Sequence, residues 1–298
     1  MNADHPPLSP GAGPDQSTME DHYSPGWDVR VQLVCLGAAF YAAIFVTCHL
    51  LSVFLFRAYR SLLAKEKVFW NLAATRAVFG LQGTVAGLCV LTGDSVVSRD
   101  HVVGKDDFTW FHVLTATGFF AFENVALHLS SVTFRSFDLP LATHHFFALS
   151  GYVSVVACDS MGHYLPMVTL LLEVSTPFTC ISWMLLKAGW ARSVFWRCNQ
   201  WVMVHMFHCR MVLTYYMWWV CWSHWGAINA VFPLVPRVLF FTGLALLTLF
   251  INPIWTHKKT MQLLNPVDWN FGNAPVANGS AAGGPEEHSG RPAKPHTS

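Results

Sequence analysis

Histidines, carboxylates and arginines stand inside stretches that are otherwise too apolar to hold them. His144 and His145 are adjacent in one apolar run, Glu173 interrupts the next, and His205 and His208 open a third. Arg76, Glu123, Asn124, His128 and Arg210 lie in the same or neighbouring runs, and His49 lies in the first. An ionisable side chain at bilayer depth costs roughly 2.5–3.5 kcal/mol on insertion scales, so each is a functional candidate until a structural partner accounts for it. A neutral imidazole takes a proton from a hydroxyl or amine, or attacks an activated acyl group itself. Near the cytosolic face it would meet acyl-CoA as co-substrate and a lipid as acceptor, with Glu173 orienting the ring. The competing reading is structural: His and Arg pair with Glu and tie helices together.

Spacing sharpens the set. Asn124 and His128 are four apart and His205 and His208 three apart, so each pair shares a helix face. His144 and His145 diverge by about 100°, so one of them faces any given target. Pro177 cannot bond the carbonyl four residues back, which predicts a kink and a free carbonyl at Glu173. Membrane di-iron enzymes carry repeated HxxxH or HxxHH boxes. This chain has one HH and one HxxH, so no metal site is expected.

Elements that could position these groups follow from composition. Of 298 residues 53% are hydrophobic and 12% charged, half the charged share of an ordinary soluble domain. The net charge of +1 gives no field that would favour nucleic acid. Seven runs are long enough to span hydrocarbon as helices: 31–56, 71–92, 108–131, 141–160, 163–186, 200–223 and 233–255. Arg57, Arg60, Lys65 and Lys67, then Lys187, Arg192 and Arg197, then Lys258 and Lys259 mark the cytosolic loops. Asp94, Asp100, Asp106 and Asp107 mark a lumenal one, so the N-terminus is lumenal and the C-terminus cytosolic. In this frame the polar groups of five or six helices share one layer, between midplane and cytosolic surface. Gly80, Gly83 and Gly87 put a small-residue groove on the second span, suited to close packing. The segments are a lumenal polar stretch 1–30, a first span 31–56, a membrane core 57–264 and a cytosolic, mostly disordered tail 265–298.

The segments 65–80 (KEKVFWNLAATRAVFG), 119–130 (FFAFENVALHLS), 170–190 (LLLEVSTPFTCISWMLLKAGW), 199–222 (NQWVMVHMFHCRMVLTYYMWWVCW) and 251–271 (INPIWTHKKTMQLLNPVDWNF) resemble the TLC domain family. That family includes translocating-chain-associating proteins and ceramide synthases, and the similarity is to its neuronal ceroid lipofuscinosis branch. The resemblance implies an all-α polytopic fold, a barrel of six helices with the first span outside. It implies residence in the endoplasmic reticulum with cycling to the ER-Golgi intermediate compartment, support for export of lysosomal enzymes as cargo, and a role in lipid homeostasis. Membrane lipids, coat proteins and homo- or hetero-oligomers are the partners it suggests, and no bound cofactor. Two features depart from the pattern. The helix after His144-His145 carries Glu173 in place of the aspartates of ceramide synthases, which points away from ceramide synthesis and leaves related acyl transfer open. A dilysine retrieval signal is absent, but Lys294 and His296 fit a KxHxx variant. Acyl-CoA-dependent transfer to a lysophospholipid or sphingoid base is the alternative function, with His144, His145, Glu173, His205 and His208 as its site.

Overall fold

The computed structural model describes residues 24–266 together with Asp268 and Phe271. The retrieval-like Lys294 and His296 and most of the expected tail and N-terminal segment lie outside those residues. Among the described residues every regular element is helical. The first is α1 (Trp27–Leu55), followed by the short α2 (Arg57–Ser61), α3 (Ala64–Thr92), the single turn α4 (Val96–Arg99), α5 (Asp107–Thr133) and α6 (Leu139–Ala157). Next come α7 (Tyr164–Leu171) and α8 (Thr176–Lys187), joined by a 3₁₀ turn over Leu172–Ser175. Then follow α9 (Val194–Ser223), the short α10 (Trp225–Val231), and α11 (Leu234–Leu246), which runs through a π turn into α12 (Asn252–Leu264).

These pieces form seven long rods. Trp27–Leu55, Ala64–Thr92, Tyr164–Lys187 and Leu234–Leu264 are each long and apolar enough to cross a bilayer. The polar residues of interest fall mainly on the other three, α5, α6 and α9, whose 27, 19 and 30 residues match the length a span needs. Six rods close a ring: α3 packs on α5, α5 on α6, α6 on α11, α12 on α9, α9 on α8, and α7 with α8 back on α3. The first helix stands outside, against α5 and α3. The barrel with an outer first span is therefore present.

Edges differ from the apolar runs in an instructive way. The run expected at 200–223 begins at Val194, where Ser193 accepts the Trp196 N–H at 3.1 Å and caps the helix. The last rod continues to Leu264, beyond the expected 255. Hydropathy reports where lipid ends; a helix stops where its caps are. At the other face α6 ends at Ala157, so Asp159 lies in the turn to α7 rather than inside a span.

Two prolines shape the rods next to the interior. Pro177 lies just after the 3₁₀ turn, and the Glu173 carbonyl takes the Thr176 N–H. The α-helix is interrupted there by the 3₁₀ turn, but the carbonyl is not free: tightening from α to 3₁₀ gives it the N–H three residues on. Pro253 follows the π turn at Leu247–Ile251, the looser way of absorbing a missing bond. The glycine groove on α3 receives the α7–α8 rod. A Cβ at Gly80 would come within 2.7 Å of Pro177 Cδ, and one at Gly83 within 2.9 Å of the Leu170 carbonyl. No side chain fits there.

At the start of α1, Arg30 fastens the outer helix to the ring. Its Nε donates to the Pro25 carbonyl at 2.8 Å and its Nη1 to the Val156 carbonyl at 2.6 Å. Nη2 reaches Ser24 Oγ at 2.6 Å and Asp159 Oδ1 at 2.5 Å. The guanidinium lies 4.9 Å from the Trp27 ring centre and 4.6 Å from that of Trp110. Lys105 donates to the Asp159 carbonyl. Partial burial alone would raise the Asp159 carboxyl, but hydrogen bonds from Arg30 and Ser24 and the charges of Arg30 and Lys105 outweigh it and hold it below the usual range.

Candidate functional site

Inside the ring are two chambers of opposite character. The first, about 1060 Å³ with its opening included, is lined by Phe147, Gly151, Tyr152 and Val155 of α6, by Leu165 and Leu170 of α7, and by Leu239, Phe240 and Leu244 of α11. It is nearly all hydrocarbon. The second, about 1260 Å³ on the same measure, carries Arg76, Asp138, His144, His145, Glu173, Arg210, Lys258 and Lys259. Four residues line both: Phe120, His144, Glu173 and Arg210. They form the junction.

Each junction group is placed by a local feature of its chain. His144 rides on α6, whose start is set by Asp138 accepting the Leu141 N–H at 3.1 Å and by Pro140 in the first turn. Its ring meets Trp255 of α12 edge-on, centres 5.4 Å apart. Glu173 sits in the 3₁₀ turn and accepts the Thr176 hydroxyl at 2.5 Å. Arg210 projects from the middle of α9; its Nη1 donates to Ser175 Oγ at 3.1 Å. The buried Nε and Nη2 of Arg210 have no partner among the described residues. His145 is buried beside His144, and its Nδ1 is likewise unpartnered. A buried donor without an acceptor costs roughly 1–3 kcal/mol, more for a charged group, so sites that keep one are usually built for something else.

Behind the junction Arg76 and Glu123 form a buried ion pair between α3 and α5, Nε to Oε1 at 2.8 Å. The pair ties two ring helices, and Arg76 also faces the polar chamber. Asn124 has a structural task, donating to the Phe120 carbonyl at 2.8 Å and, across to α6, to the His145 carbonyl at 3.2 Å. Apart from Arg76 and Glu123, the cationic side chains of the polar chamber outnumber the acidic ones, three to two.

Four expected site members lie elsewhere. His205 and His208 are exposed on the outside of α9 and line neither chamber. The reason is helical phase: His208 and Arg210 are two residues, about 200°, apart, so an inward Arg210 sends His208 out. Met203, Phe207, Arg210, Thr214 and Met217 mark the buried face. His128 is also exposed, and its Nδ1 bonds the Asn124 carbonyl of its own helix at 2.8 Å. His49 bonds Tyr59 Oη at 2.6 Å, remote from the junction. The layer is therefore narrower than the sequence suggests: Arg76, Glu123, His144, His145, Glu173 and Arg210.

Sequence reasoning missed three groups. Lys258 and Lys259 were explained by topology, and Asp138 was given no role; all three line the polar chamber. Adjacent lysines one turn past a span were the available signal. Among the described residues no three His, Cys, Asp or Glu are grouped to hold a metal ion.

Comparison with known proteins agrees with this architecture. The family profile of the TLC domain, named for the TRAM, LAG1 and CLN8 proteins, matches residues 69–259. Protein CLN8 of Homo sapiens is 59% identical over 265 residues, 89% of this chain and 92% of that protein. Protein CLN8 of Canis lupus familiaris is 58% identical over 277 residues, 93% and 96%. Protein CLN8 of Mus musculus is 62% identical over 245 residues, 82% and 85%. No solved structure matches. A ring of six helices with an outer first helix, a profile match through the whole ring and relatives aligned nearly end to end place the chain in the TLC-domain family, as a CLN8-type membrane protein.

Proposed function

We propose that the protein is an acyl-CoA-dependent lipid acyltransferase of the endoplasmic reticulum membrane, and that it supports lysosomal-enzyme export and lipid homeostasis through the lipid it makes. The observation behind this reading is the meeting of a polar chamber and an apolar one at His144, Glu173 and Arg210. An acyl thioester needs both surroundings, an apolar slot for its chain and a cationic one for its phosphates. Lys258 and Lys259 suit the phosphates of CoA.

In this reading His144 acts as general base, because it faces both chambers where His145 faces one. It takes the proton of the acceptor hydroxyl as the oxygen attacks the thioester carbonyl. The C–O bond forms, the C–S bond breaks, and the proton passes to the departing thiolate of CoA. Glu173, held by Thr176, orients the imidazole. The free nitrogens of Arg210 favour an acceptor that carries a phosphate over one that carries an ammonium, hence a lysophospholipid over a sphingoid base.

The proposed cell biology keeps lysosomal enzymes as cargo, coat proteins as cytosolic partners and cycling to the ER-Golgi intermediate compartment. The lumenal loop favours an indirect link to cargo. Asp94 is held by Arg99 through two bonds of 2.8 Å, Asp100 accepts from Val102 and Val103, and Asp106 caps α5 at Thr109. Three of the four acids of that loop are thus engaged within it.

The test offers labelled acyl-CoA and a panel of lysophospholipids and sphingoid bases to purified protein. Transfer to lysophospholipids that vanishes in a folded His144→Ala variant is the expected result. No transfer to any acceptor from folded protein would leave the histidines structural and the cargo receptor as the better reading.

A further inference from the structure

Glycines in a membrane helix ordinarily let another backbone come close. Gly80 and Gly83 fit that rule, and so does Gly37 of α1, where a Cβ would come within 2.8 Å of the Thr115 carbonyl oxygen. Gly151 of α6 does not. A Cβ built there meets no atom within 4 Å, and the position lies inside a regular helix. No described residue excludes alanine, the best helix former, yet the position holds one of the worst. The open space is the apolar chamber, which Gly151 lines.

Its place in the chamber is fixed by helix phase. Gly151 is seven residues past His144, and seven residues fall within about 20° of two full turns. It therefore stands on the same face as His144, about 10 Å further along α6, with Val155 one turn beyond. Phe146 and Val153, on the opposite side of the helix, are exposed and line neither chamber. The last rod runs antiparallel beside α6, since His144 meets Trp255 and Phe147 meets the Gly243 position. Met161 and Phe232, both buried, thus line the end of the chamber away from His144. A zigzag chain advances about 1.2 Å per bond, so a tail starting at His144 passes Gly151 at roughly its eighth or ninth carbon. It needs about 14 carbons to reach Val155.

We propose that Gly151 sets the acyl-chain selectivity of the apolar chamber, which admits long chains because position 151 carries no side chain. The identity of the ligand rests on the acyltransferase reading, and the depth gauge rests on the geometry of α6. A long side chain at 151 would stand in the path and stop a tail at about eight carbons. Each methylene that a longer tail buries beyond that point adds affinity, so the empty position favours palmitoyl-length over octanoyl-length chains. The helix stability that alanine would add is forgone, as expected where open volume has a use.

The test measures binding to the full-length protein in nanodiscs, with non-transferable thioether analogues of octanoyl-CoA and palmitoyl-CoA. Wild type should bind the palmitoyl analogue at least about tenfold more tightly. Gly151→Phe should lower that affinity about tenfold or more and leave the octanoyl analogue within about twofold. Gly151→Leu should lower it by a smaller factor, and it serves if the phenylalanine variant does not fold. Gly151→Ala should keep the wild-type preference and raise the unfolding temperature by about 2 °C. Val153→Phe, on the exposed side, should change neither affinity. Equal binding of both analogues by wild type, a parallel loss of both in the Gly151 variants, no loss of either, or a destabilising alanine would each overturn the proposal. Long-chain binding that follows position 151 without any acyl transfer would keep it and sink the acyltransferase. Transfer whose chain preference ignores position 151 would do the reverse.

Discussion

Arg30 and Arg210 are both buried, both carried by long helices, and both sit beside a carboxylate and aromatic rings. Arg30 spends Nε, Nη1 and Nη2 on protein acceptors, while Arg210 spends one nitrogen and leaves two. Chemistry of the residue does not separate them; completion of the hydrogen-bond set does. Arg30 is a fastener. Arg210 stands where two cavities meet, with two nitrogens uncommitted.

If that contrast is right, perturbations of the two regions should fail in different ways. The largest effect belongs to His144→Ala, which should lower acyl transfer by about 10²–10⁴-fold with the unfolding temperature unchanged. Next is Arg210→Met. It should raise the acceptor KM for lysophospholipids about 10- to 100-fold, the equivalent of one or two charge-assisted hydrogen bonds, and leave any transfer to uncharged acceptors much less affected. Equal loss for all acceptors would make Arg210 a second fastener and erase the contrast. Arg30→Met should do the reverse, costing about 2–3 kcal/mol of stability in thermal unfolding while KM stays put.

The smallest effect concerns Asp159, whose side chain is 58% exposed, so its pairing is screened and worth under about 1 kcal/mol. Its carboxyl is held below the usual range, so the stability it adds is present above its unfolded pKa, about 3.9, and fades only as pH falls through the lower folded value. The hydrogen-exchange protection factor at the α1 start, the rate corrected for intrinsic base catalysis, should therefore be flat between pH 7 and 5. A change in that window would mean that another group closes the fastener.

The ring itself was legible because its causes are local. Seven apolar runs and the glycine groove each appear in consecutive residues, and they are realised as seven helical rods and a close-packed face on α3. Helix phase was less legible. His205 and His208 looked like site residues beside Arg210, although 100° per residue already forbids all three from facing one way. Lys258 and Lys259 were hidden by a rule that explained them too well, since the cytosolic bias of Lys and Arg accounts for their presence and not for where they point. Arg30 could not be read at all. Its partners at Val156 and Asp159 are more than 120 residues away, and nothing near it in sequence announces them.

The groove on α3 acts on Glu173 as a mechanical stop. Because Gly80 lets Pro177 and the Glu173 carbonyl rest directly against a bare backbone, the depth at which that carboxylate enters the junction is fixed by a surface with no give. A methyl group at Gly80 would press 3.0 Å from the carbonyl oxygen of Glu173, and the rod would have to retreat by a few tenths of an ångström. Such a substitution lies outside both chambers and removes no reacting group. It would nonetheless register as a fault of alignment, with every part still present and the carboxylate set back from the ring it serves.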